Sequence, residues 1–331
     1  MPIERQTRFK HAPGGRVAAL SCRLWYDVIM VVIISKKKEE KLAELVREFF
    51  AAHPGIKIIA VTGSAGKASA KIAIGTVLAQ QFNIRLNEEE PRTKADVLLQ
   101  LMGINMPEKG IFRWLRLRRK IKKYIKTENS AVQLIVQEFN PQEPGYNEWF
   151  RSYIIPDITI VTSVTNGRMQ VEHSLEEVAN EMISLANFSR MAMINRDDID
   201  GRFASFLTNP NITTYGSDPV AEYNFDDRNF SLEDGHHGFI MSPENTEGLE
   251  VNVKLIGEHN IRPVIVAAAV GYATGESEDN IKKGVESLRP LPGRMNLLRG
   301  ADNTWLLDDS YSSTPLTALE ALQSLYKMET P

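Results

Sequence analysis

The 331-residue sequence has a single cysteine, Cys22. One thiol cannot close an intrachain disulfide or supply a Cys-based zinc site, so the fold must rest on a hydrophobic core. At 43% hydrophobic residues the chain can build one. A dominant charge sign is missing too: 39 Lys and Arg stand against 42 Asp and Glu, for a net charge of −3. Such a balance gives no global attraction to nucleic acid or anionic membrane, and any contact of that kind must be local. Long apolar runs are also absent. Val28 to Ile34, followed after Ser35 by Lys36, Lys37 and Lys38, is far shorter than the roughly 20 residues that span a bilayer. With Asp27 interrupting the stretch and no small-residue cleavage site after it, the run reads as a buried strand, with an interfacial anchor as the alternative. A cytoplasmic protein without an integral membrane segment or a nucleic-acid partner is expected.

What is present has α/β patterning. Leu42, Leu45, Val46 and Phe49 mark one face of a helix over about 37–52, ended by Pro54-Gly55. Ile56 to Val61 is a continuous apolar run of buried-strand type, followed by a glycine turn and a helix from Lys67 to about Gln81. Further strand-like runs lie at 131–138, 157–162 and 191–195, separated by helical spacing such as Leu175 to Phe188. Strands alternating with helices predict a mostly parallel sheet. Between about Thr213 and Leu255 the pattern changes to short runs broken by Asp234-Gly235 and Glu247-Gly248, which predicts an antiparallel meander. A helical pair over about 260–287 follows, then a strand at 304–308 and a helix at 315–326 that read as the start of another α/β unit. The expected division is an extension, 1–55, a central domain, 56–292, and the start of a C-terminal domain, 293–331. One strand and one helix cannot bury a core alone, so that last piece either is truncated or packs on the rest.

Between strand and helix stands Val61-Thr62-Gly63-Ser64-Ala65-Gly66-Lys67-Ala68-Ser69. Backbone N–H groups there, with the helix dipole, can hold anionic phosphates, and Lys67 can reach the terminal ones. The full phosphate-loop pattern is not met, because Val61 stands at its first glycine and Ala68 follows the lysine. A glycine turn with a solvent lysine is the simpler alternative.

Four further segments accompany the loop: Glu138 at a strand end; Pro156 to Thr162; Ile194-Asn-Arg-Asp-Asp198; and Gly257-Glu-His-Asn260. Then come Gly293-Arg-Met295 and Asp308-Asp-Ser-Tyr-Ser-Ser-Thr-Pro315. In this order, over about 57–325, they resemble the Mur ligase family, and the last resembles its D-alanyl-D-alanine-adding type. The resemblance implies an ATP-dependent amide ligase of peptidoglycan precursors, working through an acyl phosphate that an amine attacks. Such chemistry needs phosphate clamping, metal ions and exclusion of water more than a protein nucleophile. Carried over by position, Thr62, Gly63, Ser64, Ala65, Gly66, Lys67, Ala68 and Ser69 cradle ATP. Asn260, Arg294 and Asp309 contact the nucleotide, Glu138 binds Mg2+, and Lys67 and His259 take the catalytic positions. The implied partners are a UDP-sugar peptide and D-alanyl-D-alanine, met by a monomer.

Three positions depart from the family's pattern. Ala68 replaces the Thr or Ser whose hydroxyl ligates magnesium, and Ser69 lies about 100° further round the helix. Arg168 falls where the family has a histidine near a second metal, and Met182 where it has a carbamylated lysine. Arginine is not a metal ligand and a thioether forms no carbamate. Arg168 either places a fixed charge where a metal would sit or is a surface arginine. A catalytically silent nucleotide-binding paralogue and a folylpolyglutamate-type ligase are the competing functions, the Asp-Asp-Ser-Tyr segment arguing against the second.

Two features lie outside the resemblance. Arg113 to Lys126 is strongly basic, with Trp114, Leu117, Ile121, Tyr124 and Ile125 in a helical stripe. Core packing beneath a solvated face is the simple reading, and contact with anionic lipid or nucleic acid the alternative. His236-His237, between glycines, reads as part of a hairpin turn.

Overall fold

The computed structural model describes residues 35–87, 89–106, 112–127, 131–165, 173–232, 234–311 and 315–327. Cys22, the apolar run 28–34 and Arg168 lie outside the described residues. The chain divides into two compact units, Met1–Lys41 and Leu42–Pro331. The described part of the first is the start of helix α1 (Lys36–Ala52), whose later residues Leu42, Ala43, Leu45, Val46 and Phe49 are buried on one face.

In the second unit β1 (Lys57–Thr62) buries every residue after Lys57. It leads to α2 (Lys67–Leu78), β2 (Ile84–Leu86), α3 (Lys94–Met102), α4 (Arg113–Thr127) and β3 (Leu134–Glu138). Then come α5 (Tyr146–Arg151), β4 (Ile158–Val161), α6 (Leu175–Asn187), β5 (Met191–Asn195) and β6 (Ile212–Tyr215). The six strands form one sheet in the order β2-β3-β1-β4-β5-β6, parallel throughout. Packing on both faces explains why β1, β3 and β4 show no alternation of buried and exposed residues. The connection from β1 leaves toward β2 on one side, while that from its neighbour β4 leaves toward β5 on the other. The C-terminal ends of β1 and β4 therefore flank a switch point, where open α/β sheets present a crevice.

Local chemistry sets several helix starts. Thr93 and Ser174 form capping boxes with Asp96 and Glu177 at the heads of α3 and α6. The short α5 has glycine at its N-cap, and the carboxylate of Glu181, on α6, accepts from Gly145 N and Asn147 N at 2.7 Å each. Burial nonetheless raises the Glu181 pKa, because those two bonds offset only part of the desolvation.

The antiparallel layer is β7 (Asn224–Ser231), β8 (Gly235–Met241) and β9 (Leu249–Val253). It starts later than the sequence pattern predicts, because Ile212–Tyr215 pairs in parallel with β5 and closes the main sheet. His236 and His237 lie in β8, not in a turn. His236 is buried and its Nδ1 is 2.7 Å from Asp227 Oδ2, so strand pairing and an acid on β7 claim it. The helical pair is α7 (Arg262–Thr274) and α8 (Glu278–Glu286). In α7 the run Val264 to Gly271 is wholly buried and shares one core with Ile59 and Val61 of β1 and Ile74 and Val77 of α2. Each buried Val or Ile side chain there stabilises the fold by roughly 1.5–3 kcal/mol. Close packing needs glycine at 284, where a Cβ would meet Val77 Cα at 2.7 Å. Beyond α8, β10 (Asn296–Arg299) and β11 (Trp305–Asp308) pair as an antiparallel hairpin, and α9 (Pro315–Lys327) follows. β2, α3, α5 and β10 are elements the sequence reading did not single out.

Candidate functional site

The loop after β1 is pinned to the end of β4. Ser64 N donates to Ser163 O at 3.0 Å, Ala65 N to Ser163 Oγ at 2.8 Å, and Thr165 N to Ser64 Oγ at 3.1 Å. Thr162 Oγ1 lies 2.5 Å from Ala65 O and 3.1 Å from the carbonyl of buried Thr62. This closeness demands glycine at 63, where φ is +133° and a Cβ would stand 2.8 Å from Ser163 N and clash with Thr162 Oγ1. Gly66 is the N-cap of α2 in the left-handed region, φ 77°, and provides no side-chain cap. The first-turn N–H groups of α2 thus keep the donor capacity and positive dipole end that anions seek. Lys67 Nζ folds back and donates to Gly63 O at 2.9 Å.

A cavity of about 670 Å³, open to solvent, lies beside this loop. Of the residues given a site role from the sequence, Ala65, Gly66, Ser69, His259, Asn260 and Arg294 line it. They come from the loop after β1, the first turn of α2, the turn before α7, and the segment before β10. Asn260 Nδ2 donates to Ile256 O at 2.7 Å, which fixes the turn. The Arg294 guanidinium stands 4.5 Å from the centre of the Tyr311 ring, a cation–π contact. Asp309 is not in the lining; its Oδ1 accepts from Met295 N at 3.3 Å, where the backbone has φ 50°. Burial lowers the His259 pKa and favours its neutral imidazole, although Glu320 and Asp309 pull the other way.

Arg262, in the first turn of α7, was missed from the sequence and organises one wall. Its Nε is 3.1 Å from Asp197 Oδ2, and its Nη1 is 3.1 Å from Asp198 Oδ2 and 2.8 Å from Glu320 Oε1. Glu320 belongs to α9, so the C-terminal segment reaches this wall. Asn195 Nδ2 completes it, donating to Asp198 Oδ2 at 2.8 Å and to Thr162 O at 2.7 Å. Burial pushes the Asp198 carboxyl up to about 6, with Arg262 opposing. The signal for this cluster was the Asp197-Asp198 pair itself; nothing local tied it to an arginine 65 residues on.

Lys71, also missed, decides the surroundings of Glu138. Its Nζ is 3.2 Å from Glu138 Oε2, with side-chain exposures of 2% and 3%, an ion pair too poorly aligned to count as a hydrogen bond at that oxygen. Met182 sits with Val161, Val178 and Ile183 in an apolar cluster, and its sulfur accepts from Thr62 Oγ1 at 3.7 Å. Ala68, half-buried in the first turn of α2, offers no oxygen. Among the described residues, no three His, Cys, Asp or Glu side chains converge to hold a metal. The magnesium that the resemblance implies does not fit these residues, because the acid assigned to it is already neutralised by a lysine.

Comparison with known proteins gives this arrangement its relatives. The family model of the Mur ligase middle domain matches residues 61–271. The chain is 25% identical over 322 residues to the UDP-N-acetylmuramoyl-tripeptide–D-alanyl-D-alanine ligase of Escherichia coli, covering 96% of this chain and 65% of that protein. The enzyme of that name from Bacillus subtilis is 23% identical over 279 residues, covering 83% and 54%. The chain thus spans little more than half to two thirds of these relatives. Among solved structures, MurF from Acinetobacter baumannii superposes with a TM-score of 0.71 at 17% identity, covering 88% of this chain and 58% of that one. MurF from Thermotoga maritima, in complex with ADP, gives 0.64 at 16%, covering 89% and 62%. At such identities the structures speak for the fold alone, and the family model, matching well over half of the chain, places it in the Mur ligase family.

Proposed function

We propose that the chain binds ATP with its phosphates at the loop 62–69 and acts as a cytoplasmic, D-alanyl-D-alanine-adding type of peptidoglycan-precursor ligase with attenuated activity. The observation that carries this reading is a single cavity shared by the uncapped head of α2, Asn260, Arg294 and His259. In the reaction, a carboxylate of the UDP-sugar peptide attacks the γ-phosphorus of ATP, giving an acyl phosphate and ADP. The amine of D-alanyl-D-alanine then attacks the acyl carbon and phosphate leaves. Lys67, released from Gly63 O, neutralises the phosphates, while Arg294 and Asn260 hold the nucleotide from the opposite wall. Neutral His259 serves as a hydrogen-bond partner in that wall.

A second reading, a silent nucleotide-binding module, is favoured by the Lys71–Glu138 pair and by Met182 in its apolar cluster. A phosphate-release assay with ATP, UDP-muramyl tripeptide and D-alanyl-D-alanine separates the two. Slow turnover that requires both substrates supports the ligase, and background-level turnover with retained ADP binding supports the silent module. Absence of ADP binding in calorimetry would defeat both.

A further inference from the structure

We propose that the outward face of α4 docks the protein peripherally on an anionic lipid surface. The helix Arg113–Thr127 carries eight basic residues and no acidic one, in a chain whose net charge is −3. Only Leu117 and Ile121 are buried; Tyr124 is held from within by stacking on Phe49, ring centres 5.7 Å apart, and by accepting from Arg85 Nη2 at 3.0 Å. With the inner face so engaged, Arg116, Arg118, Arg119, Lys120, Lys122, Lys123 and Lys126 are left exposed. Among the described residues, none of the eight cations makes an ion pair.

Such a face is costly to an isolated fold. Arg116 and Lys120, Arg119 and Lys123, and Lys122 and Lys126 are like charges four apart, and each such pair destabilises the helix. A counter-surface of anions removes that repulsion and adds attraction from each cation.

Two apolar side chains choose lipid over other polyanions. Phe112 is 65% exposed and Leu115 41% exposed. Arg116 N donates to Phe112 O at 3.0 Å, so Phe112 continues the helix. Helical spacing puts Leu115 on the stripe of Arg119, Lys122 and Lys126, the stripe that faces away from Leu117 and Ile121. Apolar groups flanked by cations suit a bilayer interface, where the side chains enter below the headgroups that the cations meet. Beside them Lys122, Lys123 and Lys126 line, with Glu48 and Ile125, a groove of about 660 Å³, where a headgroup phosphate would meet three ammonium groups.

The test is co-sedimentation of the full chain with vesicles of phosphatidylcholine alone or with about 30 mol% phosphatidylglycerol. Binding is expected only to the anionic vesicles at about 0.1 M salt, weakening at about 0.5 M. The triple variant Arg119→Glu, Lys122→Glu, Lys126→Glu should lower partitioning at least about tenfold, with an unchanged thermal melt by circular dichroism. Phe112→Ser with Leu115→Ser should lower it several-fold while keeping the salt dependence, which a purely electrostatic contact would not show. Equal binding to neutral vesicles, no binding to anionic ones, or indifference to the triple variant overturns the proposal. So does a nucleic-acid duplex that binds more tightly than the vesicles and is insensitive to the two serine substitutions.

Discussion

The ammonium of Lys71 stands 3.2 Å from a carboxylate oxygen of Glu138, the two buried together between α2 and the end of β3. Removing one member leaves the other charged and desolvated. Lys71→Met is therefore expected to cost about 3–5 kcal/mol in chemical denaturation. The double variant Lys71→Met, Glu138→Leu should recover most of that loss, since a buried pair is often matched by apolar residues of similar volume. A Lys71→Met protein of unchanged stability would show that the pair does not form.

The loop gives a prediction separable from stability. Lys67→Ala removes one bond to Gly63 O at a half-buried site, so the fold should be kept while ADP affinity by calorimetry falls at least about tenfold. Gly63→Ala behaves differently. Its φ of +133° and its contact with Ser163 N leave no room for a Cβ, and both the melting temperature and nucleotide binding should fall.

Arg262 joins three carboxylates, and its loss should be felt in two places. Arg262→Ala is expected to lower stability by roughly 3 kcal/mol, because Asp197, Asp198 and Glu320 then face one another without a cation. Glu320→Ala removes only the tie to α9. Hydrogen exchange should speed up over 315–327 while the main sheet is unchanged; uniform protection in α9 would show that Ser324 beside Gly257 and other contacts suffice.

Asp198 supplies a pH signature. Its carboxyl is raised from 3.8 to about 6, chiefly by burial. A folded-state value above the unfolded one means that the folded state binds the extra proton. This contribution is most favourable below pH 3.8 and is lost as pH rises through about 6. Asp198→Asn should abolish it, so the difference in unfolding free energy between variant and parent should shift in favour of the variant over that window and stay flat above it. A flat difference across the window would refute the shift.

Met182→Lys tests whether family chemistry can be restored by one residue. The side chain sits among Val161, Val178, Ala179 and Ile183, at 4% exposure. A lysine there lacks a carboxylate partner and should cost about 3 kcal/mol, measured by denaturant unfolding, without raising turnover.

Much of the fold was legible because it is written in local periodicity. The unbroken apolar run of β1, the turn glycines 63 and 66, and the spacing of α1 and α7 each follow from a rule that operates within a few residues. Those rules gave the parallel sheet, the antiparallel layer and the helical pair, and the ordered motifs gave the family. They misplaced the start of the antiparallel layer and the two histidines, because a short strand such as β6 is assigned by its partner, and two glycines flank a strand segment as readily as a turn.

Within the candidate site, residue identity and order in sequence singled out the loop, Asn260 and Arg294. Only tertiary structure decided that six of the chosen residues share a cavity, while Asp309 holds Met295 and Glu138 faces Lys71. The reason is physical: an ion pair between residues 67 apart, as for Lys71 and Glu138, or 65 apart, as for Asp197 and Arg262, leaves no periodic trace in the chain. Its existence depends on which strand ends the sheet order brings together and on the desolvation found there. Sequence set the charges and the turns; the parallel order β3-β1-β4 set which of them meet.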